Sequence, residues 1–289
     1  MKHFSFKILG IIISTLITAV AIDKMIDIIF IHYHQRSKPD VKNQNANIIF
    51  FGSSRCVHNV IPRLFDSLNS TNSFNMGWAA SDPREIYAAV QLYIKFNKVP
   101  KKIILQLDLE AENTDVDQLA TQSLIKYFNQ GSIDDYYTAD QIVKYKIPLY
   151  PSIHYRDYSW REILKSIFKN NQQIQNQGYI PIFKEFQQDN KHNKPPSVPL
   201  SFLKKQNPWI VKTIELCKKR GIQVTLFTSP YYQVLSSGRF NRFKQYNCRY
   251  FNLSTSISDS CFFSDNSHLN HLGAQLFTKL LSDSINSAQ

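Results

Sequence analysis

Apolar residues follow two rhythms along this chain. "NIIFF" (47–51), "KKIILQLDL" (101–109) and "IQVTLFTSP" (222–230) hold short, continuous apolar runs. Such runs fit strands of a parallel sheet covered on both faces. "SFNMGWA" (73–79) and "CRYFNLS" (248–254) read as weaker strands. Between them the period changes to that of a helix. "SDPREIYAAVQLYIKFN" (81–97) opens on Ser81 or Asp82 as cap, with Pro83 in the first turn, and puts Ile86, Val90 and Tyr93 on one face. "NPWIVKTIELCKKRG" (207–221) ends on Gly221, and Cys217 falls on its apolar side. "LGAQLFTKLLSDSI" (272–285) closes the series through Leu272, Leu276, Leu280 and Leu281. Strands alternating with helices predict an α/β fold, a three-layer parallel sheet with helices on both faces.

Two regions stand outside that alternation. "ILGIIISTLITAVAI" (8–22) carries no charge and follows Lys2 and Lys7. With the apolar residues through Ile31 it predicts an N-terminal membrane anchor over 1–31, cytoplasmic at its amino end. "AVA" (19–21) offers the other reading, a cleaved signal peptide. Either way the remainder is expected to be exported. Residues 32–46 are polar and read as a linker to a domain over 47–289. Residues 111–200, rich in Gln, Asn and Tyr, contain no convincing strand and read as a mostly helical insertion. Its Tyr136, Tyr137, Tyr155, Tyr158 and Trp160 suit either a small core of its own or a platform for sugar rings.

Composition sharpens this only a little. Of 289 residues 43% are hydrophobic, enough for one large domain with an insertion. Lys and Arg outnumber Asp and Glu by 34 to 22, a net charge of +12. That balance fits an anionic partner such as a membrane surface or acidic polymer. No zinc-finger spacing, RNP-like motif or dense Arg run points to nucleic acid. Four cysteines lack metal-ligand spacing; Cys248 and Cys261 are candidates for a disulfide in an oxidising compartment. No cofactor motif is present.

The chemistry gathers after the first strand. "GSSR" (52–55) puts Ser54 just beyond a predicted strand end, where open parallel sheets bind ligands. Gly52 is expected to allow a sharp turn there. "SDNSHLNH" (264–271) places Asp265 three residues before His268, a carboxylate and a base of the kind a serine nucleophile needs. Asp265, His268 and His271 also have the spacing of a turn that could ligate a metal, without a further ligand cluster to complete it. The α/β-hydrolase elbow G-x-S-x-G is excluded, since Cys56 occupies its last glycine.

On these residues the chain resembles the SGNH/GDSL hydrolase superfamily, above all its membrane-anchored branch of DltD-like proteins and envelope acyltransferases. Gly52-Ser53-Ser54-Arg55 corresponds to the first block, and Asp265-x-x-His268 to the last. The resemblance spans roughly 47–110 and 205–285. It implies a flavodoxin-like sheet, Ser54 as nucleophile, His268 as base, Asp265 as orienter, and an oxyanion hole from the N–H groups of Ser54 and of Gly77 or Ala80. It implies acyl-ester hydrolysis or O-acyl transfer on an envelope polysaccharide or lipid-linked sugar, with a membrane acyl-transfer protein as a further partner. The middle blocks depart from the pattern. Asn75 is followed by Ala80 where the family has glycine, and Asp108-Leu109-Glu110 replaces the usual Gly-x-Asn-Asp. A carboxylate accepts but does not donate. One oxyanion donor is therefore missing or supplied elsewhere, which leaves an inactive binding or assembly module as the alternative. Glu110 is expected to pair with Arg55 across the mouth of the sheet.

Overall fold

In a computed structural model, residues 2–34, 41–114, 124, 176–186 and 195–287 are described. The chain divides into two compact units. The first contains the helix α1 (Lys2–His34). Its segment Phe6–Met25 has a mean hydropathy of 2.0 and is long and apolar enough to cross a membrane. The helix exceeds the expected 1–31 at its carboxyl end.

The second unit is built on β1 (Ile48–Phe51), β2 (Ser73–Asn75), β3 (Lys102–Gln106), β4 (Gln223–Thr228) and β5 (Arg249–Asn252). All neighbours are parallel, in the order β2-β1-β3-β4-β5. This is the strand order of flavodoxin-like sheets, and its switch point falls between β1 and β3.

Successive side chains of β1 point to opposite faces and meet different helices. Phe50 packs edge-on to Phe65 of α3 (Pro62–Asn69), with centroids 5.1 Å apart. Phe51 meets Tyr93 of α4 (Pro83–Phe96) at 6.2 Å. Helix α5 (Pro208–Lys219) packs on α4; α6 (His271–Asn286) packs on α3 and on the short α2 (Ser54–Asn59). The sheet thus carries helices on both faces. Asp82 caps α4 through the Glu85 N–H, and Ile86, Val90 and Tyr93 are buried as their period predicts.

The strands are shorter than their apolar runs. Beyond Asn75 the chain stays bonded to the β1 side, through the Met76 N–H to the Phe50 carbonyl and the Trp78 N–H to that of Gly52, while the Gly77 N–H folds back onto Asn75 Oδ1 at 2.9 Å. The last helix keeps most of its predicted face: Leu281 is buried, and Leu276 and Leu280 pack against the core. Leu272 is exposed, and Phe277 and Ile285, four residues either side of Leu281, complete the buried face. Gly273 explains how α6 starts so close to the preceding loop; a Cβ there would lie 2.0 Å from the Phe262 carbonyl oxygen.

Two expectations are corrected. Part of the supposed linker belongs to the domain: Val41 and Ala46 are buried, and the Ala46 N–H donates to the Tyr93 hydroxyl. Cys248 and Cys261 are unpaired. Cys248 directly precedes β5, and Cys261 lies in the loop before α6. Most of 111–200, including Tyr136, Tyr137, Tyr155, Tyr158 and Trp160, lies outside the described residues. Within that region, 176–186 runs against the sheet's carboxyl edge, where the Asn75 N–H donates to the Gln177 carbonyl and the Ile180 N–H to that of Val57.

Candidate active site

β1 delivers Gly52 to the carboxyl edge of the sheet, and α2 begins two residues later at Ser54. The glycine is required for space and not for a turn conformation. A Cβ on it would lie 2.6 Å from Gln106 Oε1 and 2.8 Å from the Cys56 Cβ. Ser53 caps α2 and is held from the neighbouring strand. Its N–H donates to Gln106 Oε1 at 3.0 Å, and its Oγ lies 2.9 Å from Asp108 Oδ2. The position of Ser54 is therefore fixed by residues more than fifty positions away.

Ser54 Oγ lies 2.8 Å from His268 Nε2. His268 Nδ1 lies 3.0 Å from both oxygens of Asp265. An ionised carboxylate only accepts, so Nδ1 carries the proton and Nε2 offers its lone pair to the Ser54 hydroxyl. Asp265 also accepts from the N–H groups of Ser267 and His268, at 2.7 and 2.9 Å. Burial pushes its carboxyl up, but the His268 ring and these two amides outweigh burial and hold it below the ordinary carboxylate range. Asn270 then caps α6 through the Gly273 N–H, tying the loop of the base to the start of the last helix.

Arg55 is buried beneath this pair. Its Nε donates to the Ser267 carbonyl at 2.9 Å, and Nη2 donates to the carbonyls of Ser229 and Pro230. Its guanidinium stacks on Tyr231 and lies 3.7 Å from Asp108 Oδ2. The expected partner, Glu110, is not the one chosen. Three carbonyls and an aromatic face draw the guanidinium inward, onto the nearer carboxylate at the end of β3. Glu110 stays exposed, with no ion-pair partner among the described residues. Burial, then the negative charges of Asp108 and Asp82, push its carboxyl up.

That shift has a sign that stability can read. A raised carboxyl is less willing to ionise in the folded chain, so Glu110 opposes folding once it is charged. Glu110→Gln is expected to raise Tm slightly at neutral pH, with the advantage fading as pH falls through the carboxylate range. Thermal scans across pH check this; an advantage that grows in acid would contradict it.

The oxyanion candidates separate. The Gly77 N–H is committed to Asn75 Oδ1 and is not available. Gly77 is there because a Cβ would lie 2.8 Å from the Cys56 Cβ. Asn75 is wholly buried and structural: its amide donates to the carbonyls of Cys56 and Val60. Ser54 and Ala80 remain, and both line one cavity of about 400 Å³ together with Arg55, Asp108, Glu110 and His268. Neither N–H has a hydrogen-bond partner among the described residues. Ala80 adopts a left-handed conformation, φ 59°. The turn that carries it is closed onto Gly52, whose carbonyl accepts from the Trp78 N–H at 3.0 Å and the Ser81 hydroxyl at 2.8 Å.

His271 is not brought to Asp265 and His268 as a third ligand. Its Nδ1 lies 2.9 Å from the Tyr179 hydroxyl and its Nε2 lies 3.1 Å from Gln275 Nε2. Cys56, beside the serine, is fully buried; burial pushes its thiol up, which makes it a poor nucleophile. Two neighbours were not anticipated. His58 packs edge-on to His268, centroids 5.6 Å apart, with Nδ1 2.9 Å from the Ile180 carbonyl. Asn59 accepts from the Leu269 N–H and donates to the Ser229 hydroxyl, joining α2 to the loop of the base. A polar residue one turn after "GSSR" was the only signal for either.

No family model matches this chain, and no curated protein does. One of the solved structures similar to this chain matches at a TM-score of 0.41 and 12% identity, over 96% of this chain and 99% of the other. It is provisionally described as a platelet activating factor from Streptococcus pneumonia.

Proposed function

We propose that this chain is a membrane-anchored serine acyl hydrolase or O-acyltransferase of the SGNH type, related to the DltD-like branch, acting on an exported envelope glycan or lipid-linked sugar. One observation carries the proposal: Ser54 Oγ, His268 Nε2 and the Asp265 carboxylate form a continuous hydrogen-bonded line at the mouth of the sheet, open to a cavity. Ser54 Oγ attacks the acyl carbonyl while its proton passes to His268 Nε2. The imidazolium is stabilised by Asp265. The N–H groups of Ser54 and Ala80 are the donors left for the developing oxyanion. His268 then returns the proton to the leaving alcohol as the tetrahedral intermediate collapses to a Ser54 ester. In the second half, water or a sugar hydroxyl gives its proton to His268 and attacks that ester, which separates hydrolysis from transfer.

Glu110 favours the second reading, an inactive binding or assembly module. With Asp108-Leu109-Glu110 set against Gly-x-Asn, it takes the place of the donating asparagine, and losing one such donor costs roughly 100- to 1000-fold in rate. Against this, Asp108, the other carboxylate of that turn, is neutralised by Arg55 and accepts from Gln106 Nε2 and the Glu110 N–H, so its charge does not face the cavity unopposed. A fluorophosphonate probe decides between them. The full chain in detergent is expected to label, and Ser54→Ala, with unchanged thermal unfolding, is expected not to. A folded parent chain that fails to label would leave the binding module.

A further inference from the structure

The edge of the sheet opposite Ser54 has a character of its own. It is formed by the amino ends of the strands and the turns that lead into them. Lys98 and Lys101 lie between α4 and β3, Lys102 opens β3, Lys219 and Arg220 end α5 just before β4, and Arg249 opens β5. All are exposed except Lys102, which is half-buried. Glu215 on α5 stands one turn before Lys219, and Asp66 of α3 is occupied by Thr71 and the Ser73 N–H.

Cations at helix ends have an ordinary use, since they complement the negative end of the helix dipole. That accounts for Lys219 and Arg220. It accounts for Lys98 too, which follows the cap of α4, but not for Lys101 or Lys102, which lie in a turn and at a strand start. Crowding here is unfavourable for the folded chain itself: burial, and then the charge of Arg249, push the Lys102 ammonium down. Like charges gathered at a cost to the fold suit an external anion.

The path of the chain says which anion. The domain begins at this same edge. The Val41 carbonyl accepts from Asn97 Nδ2, the Gln44 N–H donates to Asn97 Oδ1, and the Lys98 N–H donates to Asn45 Oδ1. The residues that join α1 to the domain are therefore stitched to the loop bearing Lys98. Helix α1 runs nine residues past Met25, and six more, 35–40, lead to Val41. Those fifteen residues reach at most about 35 Å, at 1.5 Å per helical residue and about 3.5 Å per extended one.

We propose that the amino edge of the sheet, centred on Lys98, Lys101, Lys219 and Arg220, is a docking face for the anionic lipid headgroups of the membrane that holds α1. It rests on the reading of α1 as an anchor. Docking by this edge turns the Ser54 cavity away from the bilayer, toward substrate carried on long envelope chains. Because charges attract a surface only within a Debye length, about 8 Å at physiological salt, the face must approach closely to act.

The test uses the full chain reconstituted into vesicles of phosphatidylcholine, alone or mixed with phosphatidylglycerol, with spin-labelled headgroups as quencher. A fluorophore is placed at exposed Val99→Cys on the basic edge, or at exposed Leu235→Cys beyond the carboxyl end of β4, in a Cys248→Ser, Cys261→Ser background. The Val99 reporter is expected to be quenched several-fold more in the anionic vesicles. High salt is expected to abolish the difference, as is combined Lys98→Glu, Lys101→Glu, Lys219→Glu and Arg220→Glu, shown folded by thermal unfolding. The Leu235 reporter should not respond. Equal quenching in both lipids, or quenching at Leu235 instead, would overturn the docking face while leaving the anchor intact. Failure to sediment with phosphatidylcholine vesicles would overturn the anchor and the docking with it. Neither result depends on probe labelling at Ser54.

Discussion

Ser54→Ala is expected to lower turnover of an activated acetyl ester by roughly 10⁴- to 10⁶-fold, with the larger part of the effect in kcat. The reason is the division of labour in the line Ser54–His268–Asp265. His268 Nε2, 2.8 Å from Ser54 Oγ, has no proton to take once the hydroxyl is gone. His268→Ala should cost a similar amount, since an unactivated hydroxyl is a poor nucleophile at neutral pH. The double variant should be scarcely worse than either single one, because the two groups act as a unit. Stopped-flow and steady-state rates with p-nitrophenyl acetate measure this. Additive losses, with the double variant far below both singles, would mean that the serine and the histidine serve separate purposes, and the acyl-enzyme mechanism would fall.

Arg55→Leu is expected to be the most destabilising single substitution in the domain, by about 3–5 kcal/mol. Three carbonyl oxygens would lose their donor, and buried Asp108 would keep its charge without the guanidinium 3.7 Å away. For a domain of this size that is a fall in Tm of roughly 10 °C. Arg55→Lys should recover little, since a single ammonium cannot serve three carbonyls spread along a planar fork. Adding Asp108→Asn to Arg55→Leu should restore part of the loss by removing the stranded charge. Thermal unfolding of the full chain in detergent reads all three. A loss under about 1 kcal/mol for Arg55→Leu would show that the carbonyls find water instead and that the buried arginine is not what holds the site together.

The contrast between these two residues shows what a sequence carries on its surface. Ser54, Asp265 and His268 are conspicuous because each sits at a fixed short offset from something legible: the end of an apolar run, or another member of the same loop. The sheet is legible for a similar reason, as a strand buried on both faces needs an unbroken apolar run. Arg55 is equally visible as a letter, but its partner is not. Asp108 and Glu110 are two residues apart on the same turn, and nothing local distinguishes them. The choice is made by Ser229 and Pro230, just past β4, and by Ser267 in the loop before α6. Gly77 and Ala80 were indistinguishable as amide donors until Asn75 Oδ1 was seen to occupy one of them. Helices α2 and α3, of six and eight residues, are too short to show a period. The polar appearance of 41–46 concealed two buried side chains because its docking is made by backbone groups.

Ala80 gives the site a mechanical property. An L-residue in the left-handed region lies roughly 1–2 kcal/mol above its preferred conformation, whereas glycine would rest there at ease. Alanine stays only while the turn around it is held shut, and the clasp is the Gly52 carbonyl that receives Trp78 and Ser81. Gly52 is also the residue from which the chain swings into Ser54. The prospective donor and the prospective attacker are thus fastened to one peptide unit. Loosening at the end of β1 would release both at once, so the site should fail as a switch does, open or closed, with no partly competent state between.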